Sequence, residues 1–338
     1  MELPAPLRRA VDAALEGQPV ADLARSAAAL SARYRAEVRD GRYHLSDDGA
    51  ARAYLAARLP ATYAAVHAAL AMAAKARPDF APATLLDVGA GPGTALWAAT
   101  DLWPSCTDAL MIEGSAPVRL WGERLSRALA SDAASLAITW RAGDILAGER
   151  PDDPLHTAPR DLVTMAYVLD EIAPAQRPAL VARLWTLTAG VLAIVEPGTP
   201  AGYARIMTAR AQLIAAGAHI LAPCPHALPC PLVQPDWCHF SRRVARSRIH
   251  RLTKGAEVPW EDEKYVFMAA SRLPASAALP ARVLAPPKTA SGRVSLMLCR
   301  ENGSAGEQGF SRRDGERYRS ARKAAWGDAL DSFVPSEF

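Results

Sequence analysis

The sequence predicts an α/β fold: a mainly parallel sheet, preceded by helices and interrupted late by a cysteine-bearing segment. Three observations carry that prediction. Apolar runs of strand length at 84–88, 109–112, 136–140, 161–166 and 190–195 alternate with stretches of helical period, the pattern of βαβ units. The first run ends in a glycine loop that opens a helix. A chain of 338 residues, 50% hydrophobic and 22% charged, has room for one full core plus additions.

Taken in order, residues 1–80 are rich in Ala, Leu and Arg, and Ala51, Leu55, Leu59 and Tyr63 recur at helical spacing, which predicts a helical N-terminal cap. Residues 81–203 hold the alternating runs and form the core. Residues 204–264 break the rhythm with a helix near 204–216, a segment dense in Pro and Cys, and a basic stretch; they read as an insertion. Residues 265–300 carry two further strand candidates, 265–271 and 292–299, expected to complete the sheet with the last one antiparallel. Residues 301–338 are Gly- and charge-rich, then basic, and read as a flexible tail.

The N-terminus has no basic stretch ahead of an apolar block, and no run of about 18 uninterrupted apolar residues occurs, so neither a secretory signal nor a membrane span is expected. The cytoplasm is the compartment this predicts. A net charge of +4 and pI of 8.9 permit an acidic partner such as nucleic acid without establishing one. Five cysteines, an odd number, argue against a disulfide framework and leave metal binding open.

The loop reads Leu85-Leu86-Asp87-Val88-Gly89-Ala90-Gly91-Pro92-Gly93-Thr94. Glycines let a ligand lie against bare backbone, and the following helix presents unpaired N–H groups. The spacing is GxGxG with Asp87 two positions ahead, not the GxGxxG of dinucleotide binders, which favours S-adenosylmethionine. Glu113 ends the next strand, where a carboxylate can take ribose hydroxyls, and Asp144 ends the third, where it can accept from the adenine amino group. The fold class is therefore a class I S-adenosylmethionine methyltransferase, Rossmann-like sheet. The bland alternative is a tight turn with solvated carboxylates.

The methyl acceptor is less legible. An Asn/Asp-Pro-Pro-Tyr/Phe loop for a flipped base is missing after the fourth strand, which continues Ala166-Tyr167-Val168-Leu169-Asp170-Glu171. Cys106 is the one cysteine inside the core, on the far side of the first helix, so pyrimidine C5 chemistry lacks its nucleophile. Asp170 and Glu171 are candidate general bases, with helix capping or a solvated edge as the alternative.

Cys224, Cys230 and Cys238 are embedded in prolines and aromatics: Pro223-Cys224-Pro225-His226 and Trp237-Cys238-His239-Phe240. Their gaps do not match the short CxxC knuckles of structural zinc, whereas iron–sulfur sites are less strict and use four thiolates. Cys299, closing the expected final strand, is the candidate fourth ligand. Zinc, His226 or His239 as substitute ligands, and free thiols with packing roles stay open. Arg242, Arg243, Arg246, Arg248, Arg251 and Lys254 follow with no Asp or Glu among them. If all six met phosphates, the log–log salt slope would be about −4 on single strands. Arg312, Arg313, Arg317, Arg319, Arg322 and Lys323 form a second group, diluted by Asp314 and Glu316.

Leu86 to Gly93, Val195-Glu196-Pro197-Gly198-Thr199-Pro200, the Cys-Pro-His and Trp-Cys-His-Phe pieces, Val244-Ala245-Arg246-Ser247 and Pro259-Trp260-Glu261-Asp262-Glu263-Lys264-Tyr265 together resemble the small ribosomal subunit methyltransferase-like family. The likeness runs over roughly residues 50–325. It implies a [4Fe-4S] cluster on Cys224, Cys230, Cys238 and Cys299 in an inserted Cys-rich subdomain, and work on small-subunit rRNA during ribosome assembly, by a protein that is monomeric off the ribosome. It leaves open whether the chain is an rRNA methyltransferase or a non-catalytic assembly factor. A small-molecule methyltransferase would need an enclosed apolar pocket.

Overall fold

The computed structural model describes residues 1–36, 43–132, 136–146, 148 and 153–330, with side chains left aside at 130–132. Four helices come first: α1 (Ala5–Leu15), α2 (Val20–Arg35), α3 (Asp48–Ala57) and α4 (Leu59–Ala76). Pro6 and Pro60 sit in the first turns of α1 and α4, where a missing N–H costs nothing, and Asp47 caps α3 by accepting from the Ala50 N–H at 2.8 Å. Alanines line α4 on all sides and most are buried, so this helix lies close against its neighbours rather than presenting one apolar stripe.

The core then alternates β1 (Thr84–Val88), α5 (Thr94–Leu102), β2 (Asp108–Ile112), α6 (Ala116–Asp132), β3 (Ala137–Arg141), β4 (Arg160–Ala166), α7 (Arg177–Thr186), β5 (Thr188–Pro197) and α8 (Pro200–Ala215). After it come β6 (His219–Ala222), β7 (Phe240–Ala245), α9 (Arg248–Lys254) and β8 (Trp260–Ser271). The main sheet runs in the order β3-β2-β1-β4-β5-β8-β6, with β7 also on β8. β1 to β5 are mutually parallel and β8 is antiparallel to β5, β6 and β7. β8 is twelve residues long: its first half pairs with β7 and its second with β6. Both faces are covered, as parallel strands require. Leu85, Ala109, Met111 and Leu162 pack toward the N-terminal helices with α5 and α6, while Leu86, Leu110, Ile112 and Val163 pack toward α7 and α8.

The insertion expected at 204–264 is not a separate subdomain. Its strands β6 and β7 join the main sheet through β8, because each is short and finds its partner only when β8 runs past both. The strand expected to close that sheet also lies elsewhere. β9 (Ala281–Val283), β10 (Lys288–Ala290), β11 (Arg293–Cys299), β12 (Ala305–Ser311) and β13 (Ala329–Leu330) form a second sheet. α10 (Glu316–Lys323) covers it through Ala321. The expected flexible tail is therefore structured from 305 to 330: glycines at 306 and 309 lower its apparent strand propensity, but β12 pairs with β11 along seven positions. Residues 331–338 lie outside the described residues.

Cap and sheet are joined by a charged network. Arg58, between α3 and α4, meets Glu263 of β8 at 3.1 Å and 3.4 Å, and the Tyr167 hydroxyl donates to the same carboxylate at 2.9 Å. Removing one member strands a largely desolvated charge. Arg58→Met is expected to lower the unfolding free energy by about 3 kcal/mol in urea titrations, with the Arg58→Met/Glu263→Leu double variant recovering part of the loss. A single-variant loss within error would show that the pair does not hold the cap.

Candidate functional site

The glycine loop lies between β1 and α5, with Gly89, Gly91 and Gly93 at φ +70°, +54° and +85°. The Gly89 and Ala90 N–H groups donate to the Ile112 carbonyl and the Gly93 N–H to that of Ala90, each at 2.9 Å. Val168 closes over the loop, so that a Cβ on Gly89 would fall 2.5 Å from its methyl. A Cβ on Gly91 would meet nothing within 4 Å. The open surface is thus above Gly91, beside the N-terminus of α5, where a ligand can approach bare backbone.

Glu113, buried at the end of β2, accepts from the Gly91 N–H at 2.8 Å and from the Ser115 N–H at 2.7 Å. Burial pushes its carboxyl up and the backbone bonds hold it down. The structure thus brings Glu113 to the loop. Asp87 is buried beneath it and accepts from the Thr164 hydroxyl at 2.7 Å, bracing β1 against β4; burial pushes its carboxyl up to about 7. Asp144 is exposed and accepts from the Leu146 N–H at 2.9 Å, within its own turn. Tyr43 stands near this rim: its hydroxyl would lie 2.2 Å from a Cβ on Gly114, and burial, then Asp144, Glu113 and Glu171, raises its pKa.

Asp170 and Glu171 follow β4, next to a residue the sequence did not single out as strained. Among the described residues, Tyr167 is the non-glycine residue with positive φ, at 59°, a conformation that persists only where surroundings impose it. Burial, then Asp170 and Glu113, pushes Glu171 up to about 8. A carboxyl with that pKa is mostly protonated at neutral pH, so it suits a proton donor better than a base. Glu196, fully buried at the end of β5, accepts from Arg205 at 2.6 Å and from the Leu169 N–H at 3.0 Å. A charged residue ending an apolar run was the signal for it.

The four cysteines outside the core come together. Cys224 follows β6, Cys238 precedes β7, Cys230 lies between them, and Cys299 ends β11 of the second sheet. All four line one cavity, with Tyr203, Arg210, His226, Phe267 and Arg282. The Tyr203 hydroxyl donates to Cys230 Sγ at 3.2 Å, and His226 Nε2 lies 3.5 Å from Cys299 Sγ. Burial, then Cys224 and Cys230, pushes Cys299 up to about 12. Cys238 rises well above its usual value through burial and then the other three thiols. Cys224 is raised as well, by burial first, and thiols held up in this way need a cationic centre to become thiolates together. Among the described residues, no three His, Cys, Asp or Glu side chains are grouped to hold a single metal ion. His239 is not among the residues lining the cavity; it stacks on Trp237 and meets Trp326 edge-on.

The basic stretch is only half available, which corrects the expectation of six free cations. Arg243 pairs with Asp262 at 2.9 Å and stacks on Trp260, while Arg246 and Lys254 pair with Glu261 at 2.9 Å and 2.6 Å. Both partners are on β8: Asp262 stands opposite Arg243 in the ladder, whereas Glu261 is reached by Arg246 just past the end of β7 and by Lys254 from α9. Among the described residues, Arg242, Arg248 and Arg251 are exposed and make no ion pair. No helix among the described residues is long and apolar enough to cross a membrane.

The sheet order, the antiparallel β8 between β5 and β6, and the glycine loop after β1 define a class I methyltransferase-type fold. The chain belongs to the family described as mitochondrial small ribosomal subunit Rsm22, whose model matches residues 48–331. It is 31% identical over 306 residues to the human protein named ribosome assembly protein METTL17, mitochondrial, covering 86% of this chain and 64% of that protein. Two Schizosaccharomyces pombe proteins, the mitochondrial Rsm22-cox11 tandem proteins 1 and 2, are 27% identical over 190 residues, 43% of this chain and 25% of each of them. The chain thus spans less than two thirds of the length of these relatives. Among solved structures, magnesium protoporphyrin IX methyltransferase of Synechocystis with bound SAM has a TM-score of 0.39 at 14% identity, over 72% of this chain and 91% of that one. The cytoplasmic placement is overturned by these findings: the family is described as mitochondrial, and the human and fission-yeast relatives are mitochondrial proteins.

The buried carboxyl of Glu171 makes the pocket pH-sensitive. Its folded pKa of about 8 lies above its ordinary 4.5, so the stability it lends is full below about pH 4.5 and is lost as pH rises through 8. Glu171→Gln is expected to unfold at a higher temperature than the parent at pH 8 and at the same temperature at pH 4. Equal melting at both pH values would contradict the assignment.

Proposed function

We propose that this chain is a methyltransferase-type protein of small-subunit ribosome assembly, which binds S-adenosylmethionine over Gly91, holds a [4Fe-4S] cluster on Cys224, Cys230, Cys238 and Cys299, and docks on rRNA. The observation that carries the reading is the meeting of four thiols, from the β6–β7 connection and from β11, around one cavity in a member of a small-subunit ribosomal family. The donor set fits a cluster: four thiols lining one cavity are the usual iron–sulfur ligand set. When bound, such a group supplies a fixed link between the two sheets and a one-electron redox centre. The rest of the function falls to the chain's own residues.

On the cofactor side, Asp87, Gly89, Gly91 and Gly93 shape the loop, Glu113 offers ribose acceptors once its bond to the Gly91 N–H is exchanged for the ligand, and Asp144 lies at the rim. On the nucleic-acid side, Arg242, Arg248 and Arg251 are exposed for phosphates, with Arg243, Arg246 and Lys254 holding the surface they stand on.

A second reading, docking without methyl transfer, is favoured by Tyr167. It occupies the position after β4 where an acceptor loop would lie, and its hydroxyl is committed to Glu263. Asp170 and Glu171 are the candidate catalytic carboxyls if transfer occurs.

Two measurements separate these parts. Gly91→Arg places a side chain in open space at a strain cost of about 1–2 kcal/mol, and is expected to lose S-adenosylmethionine binding at least a hundredfold by equilibrium dialysis while remaining folded. Unchanged binding would remove the loop assignment. In cells lacking the gene, a missing rRNA methyl group that this variant does not restore indicates methyl transfer; full rescue by it indicates docking alone. Binding to single-stranded rRNA fragments should show a log–log salt slope of about −2, from three free arginines. Arg242→Gln/Arg248→Gln/Arg251→Gln together should flatten it, and a slope that survives the triple change would place the RNA elsewhere.

A further inference from the structure

Two arginines line the thiol cavity without a carboxylate to answer them. Arg210 on α8 is 3% exposed and Arg282 on β9 is 7% exposed. Arg210 donates to the carbonyls of His226 at 2.7 Å and Leu228 at 3.0 Å. Arg282 donates to the carbonyls of Pro223 and Gly327, both at 3.0 Å. Among the described residues, neither has a carboxylate oxygen within 4.0 Å, although Arg205 on the same helix as Arg210 is paired with Glu196 at 2.6 Å. The fold thus supplies counter-charges where it needs them, and has not supplied one here.

A guanidinium cannot shed its proton, and burying one without an opposite charge costs several kcal/mol. Carbonyl dipoles take some of its N–H groups, with Arg210 Nε left buried and without a partner among the described residues, and leave its charge unbalanced. Three of the four carbonyls used belong to Pro223, His226 and Leu228, which flank Cys224 and Cys230. Each arginine therefore clamps the ligand loop with its N–H groups while bringing its charge to the cavity. In the register of the second sheet Arg282 stands directly opposite Cys299. Neutral thiols would leave Arg210 without an ion-pair partner among the described residues and Arg282 with Asp328 beyond 4.0 Å. Four thiolates around an iron–sulfur centre, with their net negative charge, would answer both.

We infer that Arg210 and Arg282 are the built-in counter-charges of the anionic centre held by the four cysteines, and that they set its reduction potential. This rests on the cluster reading above. One-electron reduction adds a negative charge, which a nearby fixed cation stabilises, so the pair raises the potential relative to a neutral surround. The Tyr203 hydroxyl, at 3.2 Å from Cys230 Sγ, acts in the same direction.

The test uses the full chain purified anaerobically, with iron and sulfide measured and the potential read by titration of the reduced cluster's EPR signal. Arg282→Gln and Arg210→Gln keep hydrogen-bond capacity without charge. Each is expected to lower the equilibrium constant for reduction about tenfold, a shift of about 59 mV to more negative potential. Arg282→Lys and Arg210→Lys keep the charge and are expected to stay near the parent. Gln variants that carry full iron at the parent's potential would overturn the inference while leaving the cluster reading intact. Lys variants shifted as far as Gln variants would do the same, since clamping alone would then explain the arginines. If neither Gln variant retains iron, the Lys variants decide: iron held at the parent's potential supports the inference, and its loss overturns it. A parent protein free of iron and sulfide would overturn the cluster reading and this inference together.

Discussion

The second sheet is held to the first at a seam, and the four thiols are in it. Among the described residues the small sheet buries a core of only seven side chains, Val283, Val294, Leu296, Leu298, Phe310, Ala321 and Leu330, too few to fold alone on hydrophobic burial. What ties it down is local and specific. Arg282 reaches the Pro223 carbonyl, Trp326 donates to the His239 carbonyl at 2.9 Å, and His239 packs between Trp237 and Trp326. Cys299 faces His226 across the same line. An inorganic centre bound by sulfurs from both sides would make this seam covalent. The placement of α10 and its basic residues would then depend on it.

The cofactor end of the molecule follows a different logic. There the charges are carboxyls, gathered behind the loop in Asp87, Glu113, Asp170, Glu171 and Glu196, and burial raises the pKa of four of them. Only Glu113 touches the glycine loop directly, through Gly91. Tyr167, Arg58 and Glu263 tie the N-terminal helices to β8 and to the residue that follows β4. One network thus joins the cap to the sheet and commits the Tyr167 hydroxyl. That is why docking without transfer stands as a full alternative.

The parallel sheet was legible because β1, β2, β4 and β5 are buried on both faces, so each appears in the sequence as a largely apolar run bounded by turn residues. The glycine loop was legible because its spacing is local. β6 and β7 were hidden, being short strands whose partner, β8, lies further along the chain. The second sheet was hidden because β12 carries glycines and polar residues that pair through backbone alone. The basic stretch misled for a related reason: counting charge along the chain cannot see that Asp262 stands across the ladder from Arg243 and that Glu261 pairs with Arg246. Cysteine type and spacing pointed to a candidate set, but nothing in the sequence marks Arg210 or Arg282, since an arginine on a helix or a short strand is ordinarily solvated.

The central claim is that the sulfurs of Cys224, Cys230, Cys238 and Cys299 share one iron–sulfur centre across the seam. Crystals grown without oxygen and measured across the iron absorption edge test it most directly. The account predicts a single strong anomalous peak in the cavity, within bonding distance of all four sulfurs. A cavity without iron, or iron bound with Cys299 turned away from the other three, would contradict it.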